Sequence, residues 1–200
     1  INPTEIPILL NAGWNWISYL GQCLLSTNDA LSSLNPTSGD LIKSKTAFSI
    51  YASETLGWLG TLNSMSSGEG YMLKYSNQEQ LLYPEISMYG GGSFRLSENL
   101  FPREHWVVTD NSYEHNMSVI AKINDPKFES PHENNVLGAF IGNNCVGNIS
   151  SVSFDERNDL YFITIFGSND NPVAFKYFDS ETNITYNAIN NLQFETNKLV

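Results

Sequence analysis

Residues 13–22, GWNWISYLGQ, place two tryptophans two positions apart behind a glycine. Side chains alternate between the faces of a β-strand, so Trp14 and Trp16 share one face and Asn15 and Ile17 the other. Two indoles on one strand face serve either as a stacking platform for a sugar or as the centre of a hydrophobic core. The stretch follows IPILL (6–10) and carries Ile17 and Tyr19 on its opposite face. Exposing both tryptophans on a strand that is apolar on both sides would leave a large sticky patch. The pattern therefore predicts a core strand, with Trp16 inside and Trp14 inside or packed near an edge.

The same alternation dominates the rest of the chain. GYMLKYS (70–76) aligns Tyr71, Leu73 and Tyr75 against Met72, Lys74 and Ser76, and MSVIAKI (117–123) aligns Met117, Val119, Ala121 and Ile123. DLYFITIF (159–166) and PVAFKYF (172–178) are apolar on both faces and read as buried strands. In GDLIKSKTAFSIY (39–51), an unbroken strand sets Ile42, Phe48 and Ile50 on one side and Lys43, Lys45 and Tyr51 on the other. VLGAFIGNNCVGNIS (136–150) reads as a hairpin turning at GNN (142–144), with Phe140 and Cys145 inward. STNDALSSLN (26–35) predicts a helix of two or three turns, capped by Ser26 or Thr27 and stopped by Pro36 and Gly39. The expected fold is all-β and mainly antiparallel. It comprises a small β-rich domain with one short helix at 1–86, a connector at 87–103 around the run Gly90–Gly91–Gly92, and a β-sandwich at 104–200. One continuous domain with a long glycine loop is the alternative.

Composition narrows the function classes. The 200 residues are 41% apolar, enough for a packed core, and only 16% charged, so Asn, Ser and Thr carry the surface. Such a surface suits an extracellular protein. A net charge of −11 disfavours nucleic acid and anionic membrane surfaces as partners. No run of roughly 18 apolar residues is present to insert into a bilayer. The two cysteines, Cys23 and Cys145, match no zinc spacing and read as buried thiols, with a disulfide between domains as the alternative. The start at Ile1 reads as a mature chain or a piece of a longer polypeptide.

The motifs GWNWIS (13–18), GDLIK (39–43), GWLGTL (57–62) and GEGYMLK (68–74) occur in an order that resembles a module of large secreted and cell-surface proteins of Bacteroidetes-type bacteria. That module is marked by GWN-x-IS, GD-x-IK, W-x-G-x-L and G-x-GY. The second half, with GAFIGNNCVG (138–147) and FKYFD (175–179), resembles a companion module marked by GAF-x-G-x-C-x-G. The resemblance implies secretion or cell-surface location, a multidomain parent and β architecture, and it brings no catalytic residues with it.

Reactive chemistry finds little support. His105, His115 and His132 are the only histidines, and their spacings, with Glu114, match no zinc motif. No G-x-S-x-G elbow or phosphate loop is present. Asp155, Glu156 and Asp159, or Asp170 and Asp179, are the carboxylate pairings a glycosidase would need. DERND (155–159) reads instead as a hairpin turn, and Asp155, Asn158 and Asp159 form a candidate Ca²⁺ site. No other cofactor is expected. The aromatics picked out for an exposed, ligand-binding face are Tyr51, Trp58, Trp106 and Tyr113. The expected function is that of a non-catalytic extracellular accessory module for binding or adhesion, with a glycan or protein ligand and with other domains of its own polypeptide as partners. The competitors are a purely structural spacer and a fragment of a polysaccharide-acting enzyme. Limited proteolysis should cut first between residues 86 and 104 and leave two protected pieces; uniform resistance there would indicate one domain.

Overall fold

A computed structural model describes residues 6–84, 105–108, 113, 115–128, 134–150, 152–153 and 159–200. The connector 87–103 therefore lies outside the described residues. The chain divides into two compact units, Ile1–Ser93 and Phe94–Val200. Both are built almost entirely from antiparallel strands, so the chain is all-β.

The first unit contains β1 (Ile8–Leu10), β2 (Gly13–Ser18), β3 (Leu25–Ser26), helix α1 (Thr27–Ala30), β4 (Leu41–Lys43), β5 (Phe48–Ser53), β6 (Gly57–Gly60), β7 (Ser64–Met65), β8 (Gly70–Tyr75) and β9 (Glu79–Leu81). Five strands form one sheet in the order β2-β8-β4-β5-β6, and β1-β9 and β3-β7 form two-stranded ribbons. One core gathers Ile17, Ile42, Trp58, Tyr71, Leu73 and Tyr75 from the sheet with Ala30, Leu31 and Leu34 from the helical segment. The helix is a single turn rather than two or three. Ser26 caps it by accepting from the Asp29 N–H at 3.0 Å. Leu31 then leaves helical geometry, and Ser33 Oγ accepts from the Leu82 N–H. Serines favour such local bonds over helix interiors, yet Leu31 and Leu34 still reach the core.

Residues 39–51 are not one strand. The chain turns between β4 and β5, held by Ser44, whose Oγ accepts from the N–H groups of Thr46 and Ala47. Pairing Lys43 with Phe48 and Leu41 with Ile50 sets those four on one face, opposite Ile42. The expected grouping of Ile42 with Phe48 and Ile50 is thereby corrected. A four-residue reversal changes the parity that an unbroken strand would have kept.

The second unit contains β10 (His115–Ala121), a 3-10 turn (Pro126–Phe128), β11 (Val136–Ile141), β12 (Asn144–Ser150), β13 (Val152–Ser153), β14 (Asp159–Gly167), β15 (Pro172–Asp179) and β16 (Ile184–Gln193). Two sheets, β10-β14-β13 and β12-β11-β15-β16, face each other as a sandwich. Met117, Val119, Tyr161, Ile163 and Ile165 from the first meet Leu137, Ala139, Val146, Val173, Phe175 and Tyr177 from the second. The C-terminal Val200 extends the first sheet, accepting from the Ile120 N–H at 2.8 Å and donating to the Ser118 carbonyl at 3.0 Å. At the end of the sandwich the buried Asn135 donates to the Tyr177 hydroxyl at 2.9 Å and accepts from the Ser180 N–H at 2.8 Å, so its burial leaves neither end unsatisfied. The edge strand β16 is exposed along most of its length, and irregular pairing opposite Ala174–Lys176 blunts it against further strand addition.

Glycines of the GAFIGNNCVG motif mark where elements come closest. Gly147 pairs with Ala139 beneath β14, and a methyl group there would sit 2.4 Å from the Thr164 carbonyl oxygen. No flexible side chain can yield to it, because the obstacle is backbone. Gly147→Ala should lower unfolding free energy by about 1–3 kcal/mol, the usual range for overpacking. Gly70→Ala, with nothing within 4 Å of the new methyl, should stay within about 0.5 kcal/mol of the parent. Urea unfolding of both variants measures the difference.

Candidate functional site

The tryptophan pair of β2 does not enter the core. Trp16 is 78% exposed, which overturns its expected core placement, and Trp14, 37% exposed, is packed at the sheet edge, one of its two expected places. The cause is local and then tertiary. Gly13 adopts φ +99°, a left-handed conformation open to glycine, as the chain turns from β1 into β2. Asn15 closes that turn: its side-chain carbonyl accepts from the Asn11 N–H at 2.9 Å, and its amide donates to the Asn11 carbonyl at 2.8 Å. Ile17, on the same side as Asn15, pairs with Tyr71 and packs into the core. Alternation then sends Trp14 and Trp16 to the opposite face, against Lys74 and Met72 of β8.

This face of β2 and β8 is a shelf at the sheet edge. Its floor is Trp14 and Trp16, about 6.6 Å apart along the strand at the usual rise. Lys74, exposed, stands directly across from Trp14, and Met72, half-buried, across from Trp16. On the inward side Lys43 of β4 is only 3% exposed, and its ammonium lies 5.4 Å from the centre of the Trp14 ring. Burial pulls the Lys43 pKa down to about 8. The contact is of cation–π type and steadies Trp14, while Trp16 keeps most of its surface open.

The residues singled out from sequence are placed differently. Trp58 is 6% exposed and sits in the first core, so the expected exposed face is absent. Its pairing with Tyr51 across β5 and β6 sets both on the core side of the sheet, with ring centres 5.6 Å apart. The Trp58 N–H donates to Asn28 Oδ1 at 2.7 Å, tying the strand to α1. Tyr51 is half-buried against this core. Trp106 is half-buried in the second unit, where its ring lies over Gly138 and edge-on to Phe140 at 5.3 Å. His105 stacks on Phe178 beside it at 3.5 Å. These rings seal the sandwich face that carries Phe140, so Phe140 and Cys145 are buried as expected, but outside the inter-sheet core. Tyr113 is half-buried against the second core.

The structure joins Tyr51 to Trp58 and gives Trp106 and Tyr113 separate packing roles. Trp16, the most open tryptophan described, was not among the chosen residues. Comparing 70–76 with 13–18 held the missing signal, because the tyrosine face of β8 selects Ile17 as its partner.

Polar candidates fare as follows. Asp155, Glu156 and Asn158 lie outside the described residues, as do His132 and Glu114, and Asp159 begins β14. Asp170 lies in the turn before β15 and Asp179 ends that strand, roughly 25 Å apart at the rise of a strand, too far for a carboxylate pair acting on one bond. Asp179 is held locally by Thr182 Oγ1, which donates to it at 2.6 Å. Among the described residues no three His, Cys, Asp or Glu side chains gather as a metal site. Cys23 is half-buried in the first unit and Cys145 buried in the second. Among the described residues, no helix is long and apolar enough to cross a membrane.

No protein-family model, curated protein or solved structure matches the chain.

The buried Lys43 makes a pH prediction. Folded Lys43 releases its proton near pH 8, whereas an ordinary lysine holds it to 10.5. Between those values the unfolded chain binds more protons, so stability should rise with pH. Above pH 10 the sign reverses. Burial pushes the Tyr19 phenol up to about 12 and holds Tyr75 and Tyr83 higher still, so the folded chain keeps protons the unfolded chain sheds. Urea unfolding should show a rise from pH 8 to 10 that flattens in Lys43→Met; an unchanged rise in the variant would assign it elsewhere.

Proposed function

We propose that this chain is a non-catalytic accessory segment of a larger secreted or cell-surface bacterial protein, and that its first unit binds a glycan on the Trp14–Trp16 shelf. One observation carries the reading: Trp16 is 78% exposed on a strand whose backbone is paired in full register with β8. An indole buries 150–250 Å² when covered. At about 25 cal/mol per Å², the open part of Trp16 represents about 4 kcal/mol of burial that folding leaves unused and a ligand can take. The apolar face of a pyranose, lined by C–H groups, fits an indole face, while its hydroxyls stay in water or meet polar neighbours. The strand holds the rings before the ligand arrives, which keeps the ordering cost low. Shelf rather than cleft geometry suits a long polymer gripped along its side.

The second unit favours the spacer role. Trp106 spends its ring on Gly138 and Phe140, and Asn135 is committed to Tyr177 and Ser180. Its packing serves to hold the sandwich together and to present other domains of the same polypeptide.

A glycan array with the whole chain should give hits that Trp16→Ala weakens at least about tenfold, the effect of losing a hot-spot aromatic. The thermal transition should shift little, because the ring is mostly in water. Equal array signals for parent and variant would reject the shelf as the site. No hydrolysis is expected across a panel of polysaccharides and peptides; turnover abolished by a single carboxylate or histidine substitution would reject the non-catalytic reading.

A further inference from the structure

The charges of the first unit are sorted in space. Its described residues contain three lysines and five carboxylates. Lys74 stands on the shelf itself, Lys43 lies at its inner side against the Trp14 ring, and Lys45 lies in the turn between β4 and β5. The carboxylates lie off its strands. Asp29 is bonded to Ser26 at the start of α1, Asp40 is buried and accepts from Ser76 and the Thr37 N–H, and Glu79 is held by Tyr75 and Asn35. Glu54 belongs to the turn before β6. Glu69 precedes β8 at the Ser18 end of the shelf, while Lys74 marks the Trp14 end. The shelf is thus polarised along β2, with a cation at one end, in a chain of net charge −11.

We propose, resting on the glycan reading above, that the shelf takes an acidic glycan, with a pyranose stacked on Trp16 and the carboxylate or sulfate of a neighbouring sugar at the Lys74 ammonium. Directly opposed residues on paired strands have Cβ atoms about 4.5–5.5 Å apart. A sugar over Trp14 therefore brings its acidic substituent within reach of Lys74 without moving the backbone. Lys43, next to Met72 on the same face, packs its ammonium against the Trp14 ring and keeps it in place. The overall negative charge opposes a polyanion at long range, but the screening length is about 8 Å at physiological salt. Contact with Lys74 acts inside that length, and the nearest carboxylate, Asp40, is already engaged by Ser76 and the Thr37 N–H. Placement of Glu69 at the other end sets polarity, directing the acidic group toward Trp14.

The test is isothermal titration of the whole chain with two matched pairs of polymers: polygalacturonate against its carboxyl-reduced form, and dextran sulfate against dextran. The expected result is at least about tenfold tighter binding of one acidic member over its neutral counterpart. That binding should weaken with added salt, fall about tenfold in Lys74→Glu and vanish in Trp16→Ala. Which pair responds distinguishes carboxylate from sulfate. Equal binding of acidic and neutral members, lost in Trp16→Ala, would overturn the acidic preference and leave the glycan reading standing. Acidic binding that survives Trp16→Ala would be charge attraction without a shelf and would overturn both. Binding of no polymer would also overturn both. Trp16 and Lys74 are exposed, so neither substitution threatens folding; circular dichroism of each variant checks this directly.

Discussion

The register of β2 on β8 is the constraint on which the first unit and its site depend. Ile17 opposite Tyr71 and Asn15 opposite Leu73 put the core side of β2 beside the buried Tyr71–Leu73–Tyr75 face of β8. A slip of one residue would turn every side chain of β2 over. It would bury Trp14 and Trp16 where Tyr71, Leu73 and Tyr75 already fill the space, and it would pull Asn15 away from Asn11. The turn bonds of Asn15 and the packing of Ile17 thus act together, one local and one tertiary, and the exposed tryptophans are their consequence.

In the second unit the comparable constraint is close approach. Gly138 lies under the ring of Trp106 and Gly147 under the backbone of Thr164. Each glycine lets a neighbouring element come nearer than a methyl group would permit. The two faces of β11 are therefore both covered, one by the opposing sheet and one by the segment that carries His105 and Trp106. Among the described residues of this unit the aromatics are buried or half-buried. In the first unit Trp14 and Trp16 keep exposed faces.

Electrostatics reinforce the contrast. Desolvation holds Lys43 toward its neutral form, and the same burial keeps the tyrosines of the core protonated far into alkali. The shelf combines a partly neutralised buried amine with an exposed one at Lys74. The inner one serves Trp14 and the outer one faces solvent.

Much of the architecture was legible from residues alone. The all-β class, the Tyr71–Leu73–Tyr75 face, the Met117–Val119 face and the GNN hairpin follow from alternation and turn chemistry, which act within a few residues. Ser26 as a helix cap was readable for the same reason. Helix length was not, because Ser33 leaves the helix to bond a backbone group 49 positions away. The grouping of Phe48 with Ile42 failed at a turn that the periodicity did not reveal. Alternation establishes that Trp14 and Trp16 share a face, but hydrophobicity cannot say which face is covered when both are apolar. Only pairing with β8 decided that, since a strand's inside is defined by what packs against it. For the same reason Trp58, chosen for its nearness to a turn, proved to be core. The sequence by itself determined which side chains travel together; the tertiary structure alone decided which of those groups meet water.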